Sequence, residues 1–164
     1  MKLRLQPGKS TSEEYHIVGI SSSLADYQLS HILNKQLSID LRRLSDIPLY
    51  NKTGLIGRFP FYSFFEENLK LSHFLLGNKY NNKIAIQEFR HFEFFVLLQI
   101  SSYSLPLSDL LIELRSINKI NAALNIPIAK LLAFEEIMED IELHLLESKP
   151  KTQADAMAWL WNKS

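Results

Sequence analysis

Apolar positions change period twice in the first forty residues. Tyr15-His16-Ile17-Val18-Gly19-Ile20 is β-branched and aromatic, and predicts a strand. Ser21-Ser22-Ser23 ends it and offers an N-cap, with Asp26 at capping-box spacing from Ser23. Leu24, Tyr27, Leu29, Ile32, Leu33 and Leu37 then recur with a helical period, which predicts an amphipathic helix over 24–36. Leu37-Ser38-Ile39-Asp40-Leu41-Arg42 alternates apolar and polar, the pattern of a half-buried strand. Asn51-Lys52-Thr53-Gly54 and Gly57 mark a loop.

From Arg58 the pattern is a meander. Phe59 to Phe65 is an aromatic strand, Glu66-Glu67-Asn68 turns it, and Lys70 to Leu76 returns. Gly77 to Asn82 is a second turn, followed by a short run from Lys83 to Ile86. Phe92 to Ile100 has contiguous rather than alternating apolar residues, as expected of a buried strand. After a loop, Pro106 suits the first turn of a helix that carries Leu107, Leu110, Leu111 and Leu114 to about Ser116. Residues 117–126 fit a strand or a second helix equally well. Pro127 opens a long helical stretch to Glu147, with Leu131, Phe134, Ile137, Met138, Ile141 and Leu145 on one side and acidic residues on the other. Thr152 with Asp155 starts a short last helix bearing Met157, Trp159, Leu160 and Trp161.

These elements predict an α+β fold, with a mostly antiparallel sheet covered on one face by the first helix and the C-terminal helices. Residues 1–14 are expected to be a flexible N-terminus, 15–149 a single domain and 150–164 a C-terminal appendage. The length of 164 residues suits one domain with an ordinary core, and 46% apolar with 22% charged residues is globular composition. Lys plus Arg equals Asp plus Glu at 18 each, so the basic excess typical of a general nucleic-acid binder is missing. With no cysteine the chain has no disulfide, no thiolate metal ligand and no thiol nucleophile. No segment approaches the roughly 20 apolar residues that span a bilayer. Taken together, these features predict a soluble, cytoplasmic protein without a cofactor.

Ile86-Gln87-Glu88-Phe89-Arg90-His91-Phe92-Glu93-Phe94 resembles the signature of the IPExxxVDY family, small proteins of Bacteroidota. Ile86 and Glu88 match it. Gln87 stands at the proline, Phe92 at the valine, Glu93 at the aspartate and Phe94 at the tyrosine. The aliphatic Val96-Leu97-Leu98 after the motif is similar too, as is the strand, serine turn, helix and Ile-Asp-Leu order between Ile17 and Leu41. The resemblance covers about residues 15 to 130. It implies relatives and a shared core, and brings with it no activity, cofactor or catalytic residue.

Candidate chemistry is sparse. No two of His16, His31, His73, His91 and His144 lie three to five residues apart, so a metal site has no close histidine pair to build on. His91 with Glu88 and Glu93 could form an open site for a ligand or for acid–base work. Against that, His91 is more simply a loop histidine, Glu88 a partner of Arg90 or a cap for the Asn81–Asn82 turn, and Glu93 a holder of strand register. Gly19-Ile20-Ser21-Ser22 follows a strand and opens a helix, where amides can bind an anion. It lacks the glycines and lysine of a phosphate loop, which favours a plain helix cap. Phe59, Phe61, Tyr62, Phe64, Phe65, Phe74, Phe92, Phe94 and Phe95 could stack on RNA bases if exposed. Core packing accounts for them better, since Arg58, Lys70, Lys79, Lys83 and Arg90 make a thin basic set.

Protein binding has the stronger physical case. A terminal segment of about ten residues cannot hold a helix alone, and tryptophan is enriched at binding hot spots. Met157, Trp159, Leu160 and Trp161 must therefore dock on their own domain, on a second copy or on a partner, and docking at home is favoured. The sequence thus points to a non-enzymatic interaction domain with a protein partner or self-association. A small-molecule site at Glu88, His91 and Glu93, or an RNA-associated role, are the alternatives. Nucleic acid and membrane are not expected as partners.

Overall fold

The computed structural model describes residues 14–100 and 107–148. Its centre is strand β9 (Phe94–Ile100), flanked by β1 (Glu14–Ser22) and β6 (Leu71–Gly77) in antiparallel register. Val18 and Leu75 both pair with Val96, and Ile17 and Phe74 both pair with Leu97. Outside them lie β10 (Ile120–Asn125) on β1, and β5 (Phe61–Glu66) on β6, with a two-residue β2 (Arg42–Arg43) at the far edge. Every pairing in this six-stranded sheet is antiparallel. The α+β class with a mostly antiparallel sheet and a C-terminal helix is what the residue pattern predicted.

Both faces of the sheet are covered, not one. Successive side chains of a strand point to opposite faces, so the contiguous apolar run of β9 needs a cover on each. Val18, Ile20, Leu75, Val96 and Leu98 pack under helices α1 (Asp26–Leu37) and α2 (Leu107–Arg115), which contribute Leu29, Leu33 and Leu114. Ile17, Phe74, Leu76, Phe95 and Leu97 pack under helix α3 (Phe134–Glu147) and a hairpin of β3 (Ile47–Asn51) and β4 (Gly54–Phe59). Each fully buried Leu or Phe contributes about 2 kcal/mol, and two such layers explain how 164 residues hold together without disulfides.

Several local expectations are corrected. The helix expected over 24–36 runs from Asp26 to Leu37, and its N-cap is Ala25, whose N–H donates to Gln28 Oε1 at 2.9 Å. Asp26, expected in a capping box with Ser23, instead accepts from Tyr62 Oη at 2.7 Å across the sheet edge. The strand expected at 37–42 shrinks to Arg42–Arg43. Ser38 closes α1 in the left-handed region, at φ 56°, and the Asn34 amide holds both the N–H and the C=O of Leu41. Those groups are then lost to a ladder.

The loop expected at 51–54 is the turn of the β3–β4 hairpin, where Gly54 takes φ 121°; Gly57 sits within β4. Residues 120–125 of the ambiguous stretch form β10. The helix expected to open at Pro127 begins only at Phe134. Ile128–Lys130 is one 3-10 turn, and extended Leu131 buries its side chain while Leu132 turns outward. Core packing of Leu131 overrides the helical period there. Short strands β7 (Lys79–Tyr80) and β8 (Lys83–Ile84) flank Asn81 and Asn82, both at positive φ as a tight hairpin turn requires.

Candidate functional site

The segment from Ile86 to Phe94 is folded around Asn78, the first residue after β6. Asn78 is 0% exposed and every polar atom on it is used. Its Nδ2 donates to the carbonyls of Phe89 (3.2 Å) and Phe92 (2.9 Å), and its Oδ1 accepts from Ile86 N–H at 2.8 Å. Its own N–H donates to Glu93 O, and its C=O accepts from Ala85 N–H, both at 2.8 Å. A buried amide meeting two carbonyls and an N–H fixes a loop that has no ladder of its own. Sequence alone places Asn78 in a turn, and nothing in its local pattern separates it from an exposed turn asparagine.

The motif residues are pulled apart by this arrangement. Ile86 is buried, and Gln87–Phe89 is a 3-10 turn. Glu88 is exposed and its Oε2 lies 3.4 Å from Leu132 N; it is bonded neither to Arg90 nor to the Asn81–Asn82 turn, as had been expected. His91 is exposed, with its ring 4.2 Å from that of Phe92. Phe92 lies on Gly19, and Phe94 is buried on the α1–α2 face.

Glu93 turns the other way. Its Oε1 accepts from Ser22 N–H at 2.9 Å, its Oε2 pairs with Lys79 Nζ at 3.1 Å, and its N–H donates to Ile20 O. Partial burial opposes the charge, but the Ser22 N–H and the Lys79 ammonium outweigh it and hold the carboxyl below its ordinary range. Glu93 therefore clamps the end of β1 to the β6–β9 connection. It also occupies the backbone donor at Ser22 that an external anion would need after Gly19.

Glu88, His91 and Glu93 thus do not converge, and among the described residues no three His, Asp or Glu side chains are close enough to hold a metal. Phe59, Phe61, Tyr62, Phe74, Phe92, Phe94 and Phe95 are buried, as core packing requires; Phe65 is the exposed phenylalanine among the described residues. His144 is buried too, and its Nε2 bonds Ser45 O at 2.8 Å. A polar cleft beside it is lined by Arg43, Arg58, Asp46 and Glu147, and Arg43 is paired with Asp46 at 2.8 Å. No helix among the described residues is long and apolar enough to cross a membrane.

A second hollow is apolar. Between the β3–β4 hairpin and the start of α3 lies a groove of about 310 Å3, floored by Leu49, Ile56, Ala85 and Ile137. Tyr50 and Leu55 pair across the hairpin and are 47% and 49% exposed; Tyr50 lines the groove. Leu132 stands at the other wall, 85% exposed. Single exposed apolar residues are ordinary, but two large ones on the walls of an apolar hollow are not.

The rim is charged. Lys52 and Glu136 line it, and Asp140 Oδ2 accepts from Tyr50 N–H at 3.1 Å. Burial first, and then repulsion from Glu139 and Glu136, keep the Asp140 pKa above the ordinary aspartate value despite that bond. Ala85, the residue before the motif, is in the lining, and Glu88 Oε2 accepts from Leu132 N–H at 3.4 Å.

Tyr50, Leu55 and Leu132 were not singled out by the sequence. Leu132 sits inside a helical period and Tyr50 beside a turn, and neither context announces exposure. The sequence-predicted interface, Met157, Trp159, Leu160 and Trp161, lies outside the described residues. Comparison with protein-family models, with curated proteins and with solved structures gave no match for this chain.

Proposed function

We propose that this chain is a non-catalytic protein-interaction domain, an adaptor or complex subunit, whose binding surface is the groove between the β3–β4 hairpin and α3. One observation carries it: Tyr50 and Leu132 stay exposed on the walls of an apolar hollow while Glu93, the most anchored carboxylate of the motif, is spent on internal bonds. The motif, divergent from the IPExxxVDY signature it resembles, then braces the groove's wall through the Glu88 bond to Leu132 N–H. A cytoplasmic setting belongs to this proposal, since a chain without cysteine gains nothing from an oxidising compartment.

The test is affinity capture from host lysate with nuclease present, comparing the wild type with Leu132→Glu. Leu132 is exposed, so the variant keeps the fold, which thermal unfolding will verify. A partner captured by the wild type and lost by the variant is the expected result. Recovery of the bare wild-type protein, or equal capture by both, would overturn the proposal.

A further inference from the structure

We infer that the groove docks a second copy of this chain about a two-fold axis, with Leu132 of each copy against Tyr50 of the other and Lys52 of each against Glu136 of the other. The inference rests on the groove being a binding surface and names its occupant.

Shape comes first. A two-fold interface needs both halves of every contact on one patch. Here a knob and a hollow stand side by side. Leu132 projects from the α3 wall at 85% exposure, so its side chain leaves open the groove that it borders. The hollow beside it, about 310 Å3 over Leu49, Ile56, Ala85 and Ile137, has room for a leucine side chain.

Charge comes second. Lys52 lines the groove on the hairpin side and Glu136 on the α3 side, and both are exposed. Neither has an ion pair among the described residues. Helix α3 has no Lys or Arg of its own, and Glu136 and Glu139 already crowd Asp140. A cation from outside the helix would relieve that repulsion.

Symmetry then fixes the arrangement. Two copies stacked face to face are related by an axis lying in their interface. An axis across the groove would set Lys52 on Lys52 and Glu136 on Glu136. An axis along the groove lays the hairpin wall of one copy on the α3 wall of the other. Each cation then meets a carboxylate, and each Leu132 meets a Tyr50 ring. The hairpin turn, exposed from Tyr50 to Leu55, widens the contact beyond the groove itself. A patch of this size holds a dimer of roughly micromolar strength, so assembly follows concentration.

Sedimentation velocity of the full chain over a concentration series reads the assembly. We expect a monomer–dimer equilibrium for the wild type and a monomer for Leu132→Glu. Lys52→Glu and Glu136→Lys should each weaken self-association by about tenfold or more, because each sets like charges together at both symmetry-related contacts. Mixed one to one, these two variants should dimerise as the wild type does, since each supplies the charge that the other lacks. Ile112→Glu, on α2 across the sheet, should leave association unchanged. All four substituted residues are exposed, and circular dichroism verifies each fold. A wild type that is monomeric at every concentration would overturn the inference. So would a dimer indifferent to Leu132→Glu, or charge variants whose mixture stays monomeric. A monomeric wild type that still captures another protein through Leu132 would overturn the inference and leave the interaction function standing. A Leu132-dependent dimer that captures no other protein would support the inference and withdraw the adaptor reading.

Discussion

Gly19 lies directly under the ring of Phe92: a Cβ at position 19 would come within 2.6 Å of Phe92 Cδ2. The strand that carries the serine turn and the motif that follows β8 are thereby in van der Waals contact, and only a residue without a side chain fits between them. Gly19→Ala should destabilise by about 1–3 kcal/mol through overpacking. Phe92→Val should also destabilise, by about 2 kcal/mol, because it leaves a void. The double variant should be more stable than the sum of the two predicts. Urea unfolding of the four proteins measures that coupling, and strict additivity would refute the contact.

Asn78 is the second pillar of the motif. Asn78→Asp keeps the acceptor for Ile86 N–H but removes both donors to Phe89 and Phe92. Leaving buried carbonyls unpaired and placing a charge there should cost about 3 kcal/mol or more. Asn78→Ala should cost a similar amount for the lost bonds. A midpoint shift of under half that in chemical denaturation would show that water replaces the side chain.

At position 87 the structure suggests a gain. Gln87 is exposed and is the first residue of the 3-10 turn, where an N–H has no partner in the turn to lose. Ile86 before it is extended, at φ −124° and ψ 99°, as a residue preceding proline prefers. Gln87→Pro should therefore be neutral or stabilise by about 0.5–1 kcal/mol through the unfolded chain. A lowered melting temperature would show that the turn needs that amide.

His73 sits on β6, only 9% exposed, with its ring against Phe64 and no charged partner among the described residues. Burial pushes its pKa down to about 4. The unfolded chain protonates this histidine near pH 6.5 while the folded one stays neutral, so the unfolded state binds more protons between the two values. Stability should be full above pH 6.5 and should fall as the pH drops towards 4, by about 3 kcal/mol over that range. His73→Phe should flatten that decline. Glu93, with its lowered pKa, adds a loss in the same direction at more acid pH. Unfolding free energies at pH 7.5, 5.5 and 4.5 would check the slope.

Much of the sheet was legible from period alone. β9 announced itself as a buried strand because its apolar residues are contiguous, and α1 because its leucines return every turn. β3 was not legible: Ile47-Pro48-Leu49-Tyr50 is short, contains proline, and pairs only with its hairpin neighbour. The start of α3 was misplaced for a related reason. The helical period runs on through Leu131, yet core burial draws that side chain out of the helix. Of the motif, Glu93 as a holder of register could be read from sequence. Asn78 could not, because its partners lie 8 to 14 residues away and are backbone groups without sequence identity.

The sequence by itself determined the α+β class, the strongest periodic elements and the want of a close histidine pair or phosphate loop. Those follow from local period and residue type, which need no knowledge of neighbours. Only the tertiary structure decided that the sheet is covered on both faces, that Glu88 and Glu93 point to different partners, and that Tyr50 and Leu132 wall one hollow. Exposure and convergence are properties of residues distant in sequence, and packing alone sets which of many apolar side chains remain uncovered.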